Sequence, residues 1–287
     1  MTMTAWRLCR AGGSGDPMMH PRGSRPPAAV FWMRQLVLLG IATTLLCSSA
    51  DAASGSDIIT RARAVTAGIS DKRMRVTMHV MSPWGGALTR SLQGYEKKTE
   101  GGHKILWVFE SPAEAAGTSF LALPTPGGPD HLWVYLPAQH RVRQVPDQLR
   151  RDPSQGNNFT YDDLTTIFYF DYGGEHRLNG ERPCSQGTCY IVETTLEVGR
   201  FAYSRLVTWI DRDTYLLDHI EFHDGQGLQK VLRVQNTANI QDIPTVTMME
   251  MKSAEHGDRT TVEFSDVRYN TGLEDSLFTV AYLSRGR

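Results

Sequence analysis

The sequence predicts a mainly β fold (α+β) in which one long antiparallel sheet curls on itself and a few helices sit in the opening. Three observations carry that expectation. Short runs of alternating apolar and polar residues recur from Met74 to Val267, turn residues punctuate them, and helical periodicity is confined to two or three places. Consecutive hairpins with few helices build antiparallel sheets, and a sheet of about ten strands must curl. Neither a fixed-period repeat nor a long linker interrupts the pattern, so residues 53–287 read as a single domain.

Taken in order, Ser56 and Asp57 are expected to cap a helix running to about Gly68, with Ile58, Ile59, Ala62, Val65 and Ile69 near one stripe. The period then changes. Met74, Val76, Met78 and Val80 alternate with Arg73, Arg75, Thr77 and His79, the pattern of a half-buried strand. Strands follow at 87–95, 104–110 and 118–121, separated by turn signals at Pro83–Gly86, Gly101-Gly102 and Ser111-Pro112.

The stretch Gly117–Leu164 organises what comes next. Leu132-Trp133-Val134-Tyr135-Leu136 has the aromatic and β-branched content of a strand, and Pro137 stops it. A basic loop with Arg141, Arg143, Arg150 and Arg151 follows, read as solvated ahead of a grip on phosphate or a headgroup. Thr160-Tyr161-Asp162-Asp163, just before Leu164 and Ile167, is a capping-box start for a short helix. Beyond it, strands are expected at 190–197, 202–210, 215–223, 228–234, 246–252 and 260–267, with Leu277–Val280 packing as a last element.

The N-terminal fifty residues differ in kind. Residues 1–27 are rich in Gly, Pro, Arg and Ser, and residues 1–32 read as a doubtful extension upstream of a true start at Met33. Arg34, the apolar run Leu36–Leu46 and Ala50-Asp51-Ala52 then have the order of a secretory signal peptide, with cleavage expected after Ala52. Cys47 follows Leu46 where a lipobox needs a small residue, so lipidation is not expected. Export follows from that leader. Its removal leaves Cys184 and Cys189, flanking Ser-Gln-Gly-Thr, as a disulfide pair in an oxidising compartment. The mature part carries 25 basic against 29 acidic residues, a net charge of −4 that argues against nucleic acid as a partner.

Little in the chain resembles chemistry. His219, Glu221 and His223 share one face of a strand, but His219 and His223 would stand roughly 13 Å apart along it and cannot converge on one ion. Asp163 is explained by its cap and Asp171 by a turn, and no nucleophile motif such as GxSxG accompanies them. Neither an enzyme, a metal site nor a cofactor is expected.

Several of these residues together resemble a known family. Gly117-Thr118, then Leu132-Trp133-Val134-Tyr135-Leu136-Pro137, then Gly156–Leu164 (GNNFTYDDL) are similar in order and kind to the WlYlP strand and GSDFsYeDL-type segment of the LolA-like outer-membrane lipoprotein-sorting family. Trp209-Ile210-Asp211, the hairpin Tyr215–Gly227, Lys230 and Phe278-Thr279 extend the likeness across the mature chain. One departure is that the family's Gly-Ser-Asp is Gly156-Asn157-Asn158 here, which loses a carboxylate. The resemblance implies a half-open antiparallel β-barrel, here of about 10–11 strands, with helices lidding an apolar cavity.

The function it implies is carriage of lipid or lipoprotein acyl chains through the periplasm, as a monomer, from an inner-membrane transporter towards an outer-membrane acceptor. The other reading is a cargo-free adaptor of such a transporter. Strand alternation nominates the cavity lining as Met74, Val76, Met78 and Val80 on one strand, Trp107 and Phe109 on a second, and Trp133 and Tyr135 on a third.

Overall fold

The computed structural model describes residues 53–152, 154 and 157–285. The expected extension and signal peptide lie outside them. Among the described residues there are thirteen strands, all in one sheet and all antiparallel. They are β1 (Asp71–Met81), β2 (Ala87–Thr99), β3 (Gly102–Ser111), β4 (Ser119–Leu123), β5 (His131–Leu136), β6 (Arg141–Gln144), β7 (Glu175–Cys184), β8 (Gly187–Thr195), β9 (Arg205–Asp211), β10 (Leu217–Asp224), β11 (Gly227–Ile240), β12 (Ile243–Ser253) and β13 (Arg259–Tyr269). The helices are α1 (Gly55–Ala64), α2 (Tyr161–Thr166) and α3 (Val280–Ser284).

The sheet order is β6-β5-β4-β3-β2-β1-β13-β12-β11-β10-β9-β8-β7. Two meanders of hairpins are therefore joined edge to edge where β1 pairs with β13. The two outermost strands, β6 and β7, are consecutive in the chain. The segment between them carries α2, so it must pass from one edge of the sheet to the other. This gives the half-open, unclosed form expected from the sequence, with a lid across the opening.

The count exceeds the expected ten or eleven strands by β6 and β7. Both are edges. β6 reads Arg-Val-Arg-Gln and β7 holds Glu175, Arg177, Glu181, Arg182 and Pro183. Charge and proline on an exposed edge discourage pairing with other chains, and they also remove the alternation that marks a strand in sequence.

α1 starts two residues earlier than expected and ends at Ala64, because Ser54 rather than Ser56 is the cap. The Ser54 hydroxyl accepts from the Asp57 amide, and the Asp57 carboxylate accepts from the Ser54 amide at 2.9 Å. Ile58, Ile59 and Ala62 on its inner side are buried. Its N-terminus lies against β7 so closely that a Cβ on Gly55 would fall 2.7 Å from the His176 carbonyl carbon, so only glycine fits. Cys184 and Cys189 form a disulfide across the β7–β8 turn, with Cα atoms 5.8 Å apart.

Two apolar clusters lie on opposite faces of the sheet. The larger fills the concave face and includes α1, Met74, Val76, Met78, Trp107, Phe109, Phe120, Leu132, Val134, Leu164 and Phe222. The smaller lies on the other face of β3–β5, where Leu106, Leu121 and Tyr135 are covered by Phe278 and Leu283 of the C-terminal segment. A 3-10 turn (Asp275–Leu277) followed by α3 is what the expected last element becomes.

Candidate functional site

Strand alternation sets which side chains face the opening. Along β1, Met74, Val76 and Met78 are buried and Val80 half-buried, while Arg73 and Arg75 are exposed. On β3, Ile105, Trp107 and Phe109 belong to the concave cluster and Leu106 to the convex one. On β5 the concave residues are Leu132 and Val134. Trp133 and Tyr135 pack instead on the convex side, against the C-terminal segment. This corrects the expected lining. The register that pairs Trp133 with Leu121 and Leu132 with Ala122 puts the two aromatic residues of the organising stretch on the wrong face for a shared cavity.

Met78, Trp107 and Phe109 turn inward, but around a close-packed part of the core, roofed by Tyr161 and Leu164 of α2. The open space lies further along the concave face. There, a cavity of about 480 Å3 is bounded by Ala62 and Val65 at the α1 end, Met74 on β1, Phe168 and Tyr169 after α2, and Val246, Phe264 and Tyr269 on β12 and β13. Of the eight expected lining residues, Met74 alone borders it. Phe168 meets Phe264 edge-on at 5.7 Å between ring centroids, closing one side.

The lid is tied down by an ionic network that the apolar pattern gave no hint of. The α2 capping box is present as expected: the Thr160 hydroxyl accepts from the Asp163 amide, and the Asp163 carboxylate accepts from the Thr160 amide at 2.7 Å. The same carboxylate takes the Lys230 ammonium of β11 at 2.5 Å, and Lys230 also donates to the Asn158 carbonyl at 2.8 Å. Lys230 Nζ lies 5.1 Å from the ring centroids of both Tyr203 and Phe222. Arg150, expected with its neighbours on a solvated loop, is buried and holds Asp162 Oδ1 through Nε at 2.8 Å and Nη2 at 2.6 Å. Arg141, Arg143 and Arg151 do stay exposed. The departure at Asn158 has a local reason. Its carboxamide accepts from the Thr260 hydroxyl at 2.6 Å and donates to Asp258, where an aspartate would repel.

At the cavity rim, Tyr169 donates to Glu96, whose carboxylate also pairs with Lys72 at 2.7 Å. His103 stacks on Tyr169 with centroids 3.6 Å apart. Burial, with some help from the Lys72 and Lys98 charges, pushes the His103 imidazole down to about 4, so it is neutral near pH 7. Burial likewise raises the Tyr169 phenol well above its usual range, with the Glu96 charge adding to it. Lys72, Glu96, His103 and Tyr169 escaped the sequence reading because each sits on a different element, without a shared motif.

The His219, Glu221 and His223 row is accounted for locally. His219 stacks on Trp209 at 4.5 Å and its Nδ1 lies 2.7 Å from Asp218, while His223 Nε2 lies 3.2 Å from Glu221. His219 is buried, and the Trp209 ring covers it.

Comparison with known proteins agrees with this architecture. A DUF1329 family protein from Desulfovibrio piger is 29% identical, with a TM-score of 0.75 over 80% of this chain and 97% of that one. A domain from Vibrio parahaemolyticus, described as outer membrane lipoprotein-sorting protein, is 27% identical, with a TM-score of 0.75 over 80% and 98%. A LolA superfamily protein from Nitrosomonas europaea, at 18% identity, has the same fold, with a TM-score of 0.66 over 80% of this chain and all of that one. Curated protein sequences return no match. The fold is thus the LolA-like one that the motifs resembled. With residues 101–285 matched by its model, the chain belongs to the family described as "-like: Uncharacterized protein".

Proposed function

We propose that this chain is an exported carrier whose cavity shields the hydrocarbon chains of a lipid or lipoprotein from water. The observation that carries the reading is the cavity of about 480 Å3 between the lid and the concave face of the sheet. Small-molecule sites occupy about 300–1,000 Å3, are mostly apolar and have a few polar groups at the edge. Here Met74, Phe168, Val246 and Phe264 supply the apolar wall, and Lys72, Lys98 and His103 the polar edge. Each methylene moved from water into such a wall gains about 0.8 kcal/mol, so even part of an acyl chain provides a useful driving force.

The likeness to the Vibrio lipoprotein-sorting domain supports the same reading. The leader supports export with cleavage after Ala52, and on the likeness to the lipoprotein-sorting domain we base residence in the periplasm and traffic between an inner-membrane donor and an outer-membrane acceptor.

The test is binding of a fluorescent fatty acid to delipidated protein beginning at Ala53, alongside native mass spectrometry of the protein as purified from periplasm. The expected results are saturable binding and a co-purifying lipid mass. Met74→Gln should weaken the probe several-fold at unchanged circular dichroism. Undiminished binding by a folded Met74→Gln would place the chain elsewhere, and a protein free of lipid that ignores the probe would be an adaptor.

A further inference from the structure

The sheet is split beside the apolar cavity. β11 pairs with β10 only from Gly227 to Arg233, and β12 pairs with β13 only from Met248 to Lys252. Past those points β11 and β12 pair with each other alone, out to Ile240 opposite Ile243. Among the described residues, 234–247 therefore form a two-stranded arm without a strand partner on either side. Across the gap, residues 264–269 of β13 pair with β1 but not with β12. A lone hairpin is marginally stable in water, so contacts outside the ladder must hold this one.

Three of those contacts converge on Tyr269. Gln241, at the tip, accepts from the Tyr269 amide through Oε1 at 2.8 Å and donates to the Tyr269 carbonyl through Nε2 at 3.3 Å. The Thr245 hydroxyl lies 2.8 Å from the Tyr269 phenol oxygen. A side-chain amide thus stands in for the missing strand pairing. Gln241 and Asp242 both sit at positive φ, 53° and 63°, a conformation that Asn-Gly or Asp-Gly supplies with less strain. The glutamine suits the clamp better than the turn. At the base of the arm, the β11–β12 register slips on both sides of Asn236, beside the last pairs to β10 and β13. Such slips interrupt the ladder and bend the strand, which gives the arm a hinge.

The arm is also cavity wall. Pro244, Thr245 and Val246 border the cavity from one side of the gap, and Phe264, Val267 and Tyr269 from the other. We propose that residues 234–247 are a gate, hinged at Asn236 and latched on Tyr269, and that the carried hydrocarbon chain enters and leaves between β12 and β13. The proposal rests on the carrier reading and adds the route by which its cavity fills. Releasing the latch parts Val246 from Phe264 and opens the cavity sideways through the sheet. The latch holds the arm closed whether the cavity is full or empty, so it governs entry and exit alike and leaves the equilibrium affinity nearly untouched.

The experiment follows a fluorescent fatty acid by stopped flow with protein beginning at Ala53, alongside hydrogen exchange read by mass spectrometry. Asn and Gly both accept positive φ, but Asn is a methylene too short to span to Tyr269 and Gly has no side chain. Gln241→Asn and Gln241→Gly should each raise uptake and release rates about tenfold, the scale of two neutral hydrogen bonds, with affinity kept within about twofold. Amides of residues 236–247 should exchange faster than those of residues 249–251, and faster again in both variants. Were Gln241 there only for the turn, the same substitutions would slow that exchange.

Arm amides as protected as those of residues 249–251 overturn the gate. Faster arm exchange with unchanged uptake and release overturns the route, since the chain then passes elsewhere. Affinity lost through release alone makes Gln241 part of the binding wall and overturns the latch. In each of these cases the fatty acid still binds and the carrier reading stands. A fatty acid that does not bind the wild type overturns that reading, and the route with it. If one variant folds poorly, the other variant and the wild-type exchange still decide.

Discussion

Lys230→Met tests what holds the lid shut. The ammonium of Lys230 bridges α2 and β11, and the side chains of Lys230 and Asp163 are only 9% and 4% exposed. Its removal leaves the Asp163 carboxylate with the Thr160 amide at 2.7 Å and the Tyr203 hydroxyl at a long 3.4 Å, but without a cation. Breaking one side of a buried pair costs about 3–5 kcal/mol, because the remaining charge stays desolvated. The double variant Lys230→Met, Asp163→Leu removes both charges and should recover a large part of that loss, although the capping bond to Thr160 goes with it, worth about 1 kcal/mol. Urea unfolding of the four proteins gives the cycle directly. The coupling should be about 2–3 kcal/mol, near the upper end for interacting neighbours. A loss under about 1 kcal/mol for Lys230→Met, or strictly additive singles, would refute the argument that this pair is desolvated and locks the lid.

Three further outcomes are expected. His103 titrates at about 4 when folded and near its ordinary value of about 6.5 when unfolded, so the unfolded chain takes up its proton first as pH falls. Stability should drop by about 2 kcal/mol between pH 7.5 and pH 5, and His103→Phe should remove most of that slope in urea titrations. Phe278→Ala, which empties the convex cluster, should cost about 3–5 kcal/mol yet leave fatty-acid affinity unchanged in the folded protein, because that cluster lies across the sheet from the cavity. Replacing Cys184 and Cys189 by serine should cost about 2 kcal/mol in thermal unfolding, the low value expected of a five-residue separation.

Whatever depends on near neighbours along the chain was legible in the residues alone. The period of two along Met74–Val80 assigned the inward face of β1, Thr160 and Asp163 marked the start of α2, and Cys184 and Cys189 announced their pairing. These signals are local because backbone alternation, capping and a hairpin disulfide each act within a few residues. How the local faces combine depends on contacts between distant segments. Alternation says that Trp133 and Tyr135 share a face, but which face is set by pairing with Leu121 and Ser119 on β4, a contact with no signature in either strand. The same holds for Lys230 and Asp163, which stand 67 residues apart, and for the unsatisfied oxygen of Asp162. Burial of a charge is a property of what folds over it, and the segment that folds over this sheet leaves from one edge and returns at the other.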